Sequence, residues 1–211
     1  MSDRPPSARH GTRRLGHRLL QLYVGLVVFA VSEALILQAR LGVMPWDVLQ
    51  QGLITHVGLT MGTWSIIIGV CVLLLWIPLR QKPGVGTVSN AIVIGLVLDP
   101  ALRLLPAPES IGWRAAYLLG GILLNGIATA AYIGARLGPG PRDGLMTGLV
   151  ARTGRSVRSV RTAIEVTVVV VGWLLGGNLG IGTVVFALAI GPVVHVALPR
   201  LTVPDDRAGR R

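Results

Sequence analysis

Arg40-Leu41-Gly42-Val43-Met44-Pro45-Trp46-Asp47-Val48-Leu49-Gln50-Gln51-Gly52-Leu53 is the stretch that decides the fold, because it occurs twice. In fixed register 96 positions later the chain reads Arg136-Leu137-Gly138-Pro139-Gly140-Pro141-Arg142-Asp143-Gly144-Leu145-Met146-Thr147-Gly148-Leu149. At the same offset Gly58 matches Gly154, and Gly84, Gly86, Thr87 and Val88 match Gly180, Gly182, Thr183 and Val184. Ile94-Gly95 likewise matches Ile190-Gly191. Apolar residues coincide by chance in any two membrane helices. Arg, Pro, Asp and spaced Gly in one ungapped register do not, so the chain is a duplication.

Around these elements lie long apolar runs. Of 211 residues, 52% are hydrophobic and 14% charged, against roughly a quarter charged in soluble domains. A soluble fold of this size needs more polar residues to cover its surface. About 20 apolar residues span the hydrocarbon, and six runs qualify or come close: 19–39, 62–79, 85–102, 115–135, 162–179 and 180–199. Each repeat then holds three spans. An odd number forces the second repeat to enter from the opposite side, which makes the halves inverted repeats of the kind found in secondary transporters. The expected fold is an all-α polytopic membrane protein, with six transmembrane helices as two inverted three-helix repeats. Each repeat carries a short re-entrant or interfacial helix. The expected units are a basic tail at 1–18, a first repeat at 19–104, a second at 115–199 and a basic tail at 200–211. The tails read as disordered, and the first run as an uncleaved signal anchor.

The +11 charge comes from 20 basic residues against 9 acids. Basic residues fall between the apolar runs and at the ends, which suits a negative cytoplasmic leaflet better than nucleic acid. With the N-terminus inside, seventeen of the twenty basic residues lie inside and only Arg40, Arg103 and Arg114 outside. That split expects both termini in the cytoplasm. The Arg cluster in 152–161 reads as a loop that sets topology and meets lipid headgroups. Cys71 is a lone cysteine, which excludes a disulfide framework and reads as a small buried hydrophobe. The five tryptophans, Trp46, Trp64, Trp76, Trp113 and Trp173, read as an interfacial belt.

In the repeated element, Gly and Pro stop the preceding helix. Asp two residues after Pro suits the first turn of a helix, where it complements the dipole. About ten residues follow, too few to span. Arg40, Pro45 and Asp47, with Arg136, Pro141 and Asp143, are the candidates for a substrate path or gate. The alternative is that each Arg–Asp pair only closes its loop. Glu33, Glu165, Asp99 and His195 are the ionisable groups inside the runs and so the proton-coupling candidates. Glu33 is the deepest; Asp99 and His195 sit near span ends. Gly84, Gly86 and Thr87, with Gly180, Gly182 and Thr183, lack the strand a phosphate loop needs. They read as tight helix-packing turns, with the two threonines as caps. Asn90 and Asn125 suit hydrogen bonds between helices. No catalytic triad, metal-ligand spacing or cofactor pattern is present, which disfavours an intramembrane enzyme.

The run from Arg40 to Leu53, followed by Trp76-Ile77-Pro78-Leu79 and Lys82-Pro83-Gly84-Val85-Gly86-Thr87, resembles the YczE family of bacterial membrane proteins and, more broadly, YitT-type proteins. The resemblance spans nearly the whole chain except the tails. It implies a multi-pass protein of the bacterial plasma membrane. Arg142 in place of Trp46, with Pro139 and Gly140, makes the second half-site unlike the first. The expected activity is that of a small secondary transporter or exporter of a small molecule, working by alternating access. A non-transporting accessory protein that docks a cytosolic partner through 136–161 is the alternative. The expected partners are the lipid bilayer and a small-molecule substrate, with a homo-oligomer left open and no nucleic acid.

Overall fold

The computed structural model describes residues 7–203, with side chains from residue 15. The tail expectations for 1–6 and 204–211 lie outside the described residues. Eight helices follow in order: α1 (Ser7–Ala39), α2 (Pro45–Val57), α3 (Met61–Leu79), α4 (Val85–Leu104), α5 (Ile111–Gly134), α6 (Pro141–Thr153), α7 (Val157–Leu174) and α8 (Ile181–Leu201). Helices α1, α3, α4, α5 and α8 are long and apolar enough to cross a membrane. Their outward faces carry large bare hydrophobes such as Ile77 and Leu188, 72% and 73% exposed. Spread along whole helices, that surface suits lipid rather than water. The chain is an all-helical, multi-pass membrane protein.

The sixth expected span, 162–179, is not among these five. Ser156 caps the helix earlier, its side chain accepting from Ser159 N. Arg158, Arg161 and Glu165 therefore fall inside α7, and the helix stops at Leu174 before Gly176 turns at φ 92°. A contiguous apolar run was not the helix, because capping set one boundary and glycine the other. The 152–161 cluster is likewise not a loop: Arg152 ends α6, while Arg158 and Arg161 open α7. The N-terminal tail is also shorter than expected. Helix α1 begins at Ser7 and runs 33 residues, about 50 Å, so its first turns extend past the hydrocarbon. Cys71 is exposed on α3 rather than buried, facing outward among Val70, Leu74 and Leu75.

The repeated motifs take matching backbone conformations. Arg40 and Arg136 end their helices at φ 52° and 55°, and Gly42 and Gly138 follow at φ 121° and 123°. Left-handed φ is costly for arginine, yet each half places one at this position, and Arg80, at φ 54°, is a further case in the first half. Helices α2 and α6 both begin with Pro at their first position and end on a left-handed Gly, Gly58 and Gly154. Each half grips the other through the same groups. Gly86 N donates to Leu137 O at 2.8 Å, and its counterpart Gly182 N donates to Leu41 O at 2.7 Å. Thr87 Oγ1 donates to Pro139 O at 2.7 Å, while Thr183 Oγ1 accepts from Val43 N at 3.1 Å. A Cβ on Gly84 would lie 2.4 Å from Leu137 O, and one on Gly180 2.4 Å from Leu41 O. These glycines permit close backbone approach. Thr87 Oγ1 also accepts from Gly84 N at 3.1 Å, satisfying the N-cap amide of α4.

Helix α1 packs along α5; α2 packs on α7 and α3 on α6. The last two contacts hold opposite side-chain sizes. Trp76 of α3 lies over Gly144 of α6, whereas the corresponding α2–α7 contact sets Val48 near Gly172.

Asp99 belongs to the scaffold. It accepts from Thr60 Oγ1 at 2.6 Å and from Gly62 N at 2.8 Å, capping the start of α3. Asp99→Ala is expected to lower stability by about 1 kcal/mol, as loss of an N-terminal cap does. Thermal melting of the purified protein in detergent checks this.

Candidate functional site

A cavity of about 270 Å³ lies between the halves, lined by residues of α2 to α8 and by Phe29 of α1. That is near the low end of small-molecule pockets. The starts of α2 and α6 both reach it, through Pro45-Trp46 and Pro141-Arg142-Asp143. Proline is favoured at the first helical position, so each helix begins sharply where the chain turns in. Trp46 and Arg142, counterparts 96 residues apart, stack on each other, with the guanidinium carbon 4.8 Å from the ring centroid. Counterparts that touch mark where the two halves meet, and the cation–π contact requires that they differ.

Behind this stack lies a buried acid cluster. Glu33 is 1% exposed, and Asp47 and Gln50 are 0%. Gln50 Nε2 donates to Asp47 Oδ1 at 3.4 Å. The Glu33 and Asp47 carboxyl groups interact directly, and Arg142 is the cation that acts on both. As two carboxylates they offer each other acceptors only. Among the described residues, Glu33 Oε1 and Oε2, Asp47 Oδ2 and Gln50 Oε1 receive no hydrogen bond. Helices α1 and α5 are pinned beside the cluster by Asn125 Nδ2 donating to Ser32 Oγ at 2.9 Å.

On the cavity side, Tyr132 donates to Asp143 Oδ2 at 3.0 Å and meets Phe29 edge-on, centroids 6.1 Å apart. Trp76 is 2% exposed, and its indole donates to Pro141 O at 3.0 Å, fixing the start of α6. Arg161 and Glu165, one turn apart on α7, form an ion pair at 2.8 Å on the cavity wall. Asn90, Ser65 and Thr129 supply further polar lining.

The sequence candidates therefore separate. Asp47, Asp143, Pro45, Pro141 and Glu33 converge on the cavity and its back wall, and Glu165 joins them at the rim. Arg40 and Arg136 do not. Both are exposed at helix ends, and the α1 end is closed by Arg114, whose Nε donates to Ala39 O at 2.8 Å and whose Nη2 donates to Arg40 O. A loop-closing Arg40–Asp47 pair does not fit an exposed Arg40 and a sealed Asp47. His195 is exposed on α8 and Asp99 is a cap, so both stand outside the cluster. The belt reading fails for Trp46 and Trp76, which build the site, and suits Trp113 and Trp173, 67% and 58% exposed. Sequence reasoning did not single out Gln50 or Tyr132. The one available signal was Arg142 breaking the repeat.

The chain matches, over residues 16–199, a family described as a family of unknown function (DUF6198). It is 41% identical over 177 residues to an uncharacterized protein of Haemophilus influenzae, covering 84% of this chain and 81% of that one. It is 34% identical over 180 residues to the uncharacterized membrane protein YczE of Bacillus subtilis, covering 84% of each. A further relative, the uncharacterized protein YyaS of Bacillus subtilis, is 27% identical over 180 residues, covering 83% of this chain and 90% of that one. No solved structure matches. Along almost its whole membrane-embedded length, then, this chain is a member of the YczE-like DUF6198 family of membrane proteins.

Proposed function

We propose that the chain is a small secondary transporter of the bacterial plasma membrane, with six crossings, inverted halves and both termini in the cytoplasm. It moves a small molecule by alternating access, coupled to protons through Glu33 and Asp47. The observation that carries this reading is a buried carboxyl pair beside a cavity enclosed by two equivalent sets of helices. Two packing arrangements of equivalent halves around a fixed site are the mechanical requirement for alternating access. A carboxyl pair sealed from water is expensive unless it serves a proton or ion. Asp143 and Tyr132 would contact the substrate, and Arg142 would link it to the carboxyl pair.

The test uses proteoliposomes with a trapped pH indicator, challenged with small amines, amino acids and organic acids. At least one class should drive proton movement that Glu33→Gln and Asp143→Asn abolish. Silence across the panel, or flux unchanged in both variants, removes the reading. Orientation has its own assay. In a Cys71→Ala background, cysteines at Thr55 and Ala151, counterparts that are both exposed, should react with an impermeant maleimide from opposite sides. Labelling from one side would end the inverted arrangement.

A further inference from the structure

The cluster behind the Trp46–Arg142 stack is short of donors in a way a proton does not cure. Four oxygen acceptors, Glu33 Oε1 and Oε2, Asp47 Oδ2 and Gln50 Oε1, have no donor among the described residues. Gln50 is independent evidence here because it is not an acid. It is fully buried, its amide is tied to Asp47 at 3.4 Å, and its carbonyl oxygen is left unused beside the carboxyls. Unmet buried acceptors are costly and call for an explanation. One proton shared by Glu33 and Asp47 satisfies one oxygen of each. The second Glu33 oxygen and the Gln50 carbonyl stay unmet.

All four are oxygens of the kind a small alkali cation takes as ligands. Hard cations take carboxylate and amide-carbonyl oxygens as ligands. The charge balance also fits. Two carboxylates facing Arg142 carry one excess negative charge, and one monovalent cation cancels it. A divalent ion would overshoot at groups this deeply buried. The charged and titratable groups around the cluster are few. Helix α1 brings Glu33, α2 brings Asp47 and α6 brings Arg142; Asp143 lies further out, held by Tyr132 of α5 and acted on by Arg161 of α7.

We propose that Glu33, Asp47 and Gln50 form a buried Na⁺ site, in which Na⁺ and a proton compete one for one. Within the transporter reading, on which this rests, Na⁺ joins the proton as a coupling ion at the same carboxyls, but binding itself does not require transport. Arg142 lines the cavity and acts on both carboxyls through its charge, so it is the positioning residue through which a ligand would sense the ion.

The experiment measures ²²Na⁺ binding to the purified full chain, and its melting temperature in NaCl against N-methylglucamine chloride at matched ionic strength, from pH 6 to 8. Saturating Na⁺ should raise the melting temperature by roughly 5 °C. Its apparent affinity should fall about tenfold for each pH unit of acidification wherever the proton holds the site, because the ligands must be deprotonated. Asp47→Asn and Glu33→Gln should abolish the shift, and Gln50→Ala should weaken it. Should those variants fail to fold, ²²Na⁺ binding by the unmodified chain still decides. Absence of bound ²²Na⁺, or a Na⁺ shift intact in Asp47→Asn and Glu33→Gln, overturns the site. Proton flux in Na⁺-free vesicles would then still stand or fall on its own, so losing the Na⁺ site is distinguishable from losing the transporter.

Discussion

Gly144→Val should leave little folded protein, and adding Trp76→Gly should bring part of it back. A Cβ at position 144 would fall 1.8 Å from Trp76 Cζ2 and 2.3 Å from Cη2, so the indole has to leave. It is packed with Ile68, Val72 and Leu145 and anchored to Pro141 O, with nowhere to shift. Overpacking alone costs about 1–3 kcal/mol and evicting a Trp about 3–5, against a total stability of about 5–15. The rescue follows from the repeat. Position 144 corresponds to Val48 and position 76 to Gly172, and that second pair already packs α2 on α7. There a Cβ on Gly172 would lie 2.4 Å from Leu49 N, so the backbones are close and a valine fills the gap. The double variant gives the α3–α6 contact the residues its counterpart uses. It loses the indole hydrogen bond, so recovery is partial. Fluorescence-detected size exclusion and melting in detergent should give a favourable coupling above about 1 kcal/mol. A double variant no better than the sum of its parts would show that the two contacts are not interchangeable.

That size swap could not be read from the sequence, although the repeat that contains it could. Arg40-Leu41-Gly42 and Arg136-Leu137-Gly138 were visible because Gly42 and Gly138 are dictated by the backbone, each at positive φ with no room for a Cβ, while the left-handed helix end before them does not itself call for arginine. Gly84, Gly86, Gly180 and Gly182 were legible for the same lack of room. Trp76 and Gly172 left no such trace, since each is an ordinary residue for an apolar helix, and only the facing residue explains it. Helix α7 was misread because hydropathy follows apolar runs, while its start was set by Ser156 and its end by the turn at Gly176. At the site, Glu33 stood out as a carboxylate in an apolar run. Arg40 stood out equally as a charge beside Asp47 in sequence, yet the left-handed turn that ends α1 carries it to the surface. Proximity along the chain said nothing about which arginine serves Asp47. The one that does, Arg142, comes from the other half.

Removing that arginine tests the cluster directly. Arg142 is half-buried, stacked on Trp46, and the cation acting on both Glu33 and Asp47. Arg142→Gln keeps the length and a donor but removes the charge, leaving two carboxyls facing each other with nothing opposite. Breaking a fully buried ion pair costs about 3–5 kcal/mol, an upper bound here because Arg142 acts on the carboxyls by charge without bonding to either. Arg142 is open to the cavity, so about 2–3 kcal/mol is expected at neutral pH in Na⁺-free buffer. Asp47→Asn by itself relieves the repulsion with Glu33 while surrendering the attraction to Arg142, and its net effect should be small. The informative quantity is the coupling. With Asp47 already neutral, Arg142→Gln has one carboxylate fewer to strand and should cost at least about 1 kcal/mol less than in the unmodified chain. A parallel cycle with Asp99→Asn should give no coupling, because Asp99 sits at the start of α3 bonded to Thr60 and Gly62. Equal losses from Arg142→Gln in the Asp47, Asp99 and unmodified backgrounds would mean that the arginine is held by Trp46 alone and that the carboxyl pair does not feel it. Ligand binding in the cavity would then have no electrostatic route to Glu33, and the coupling assigned to this site would have to run through the helices instead.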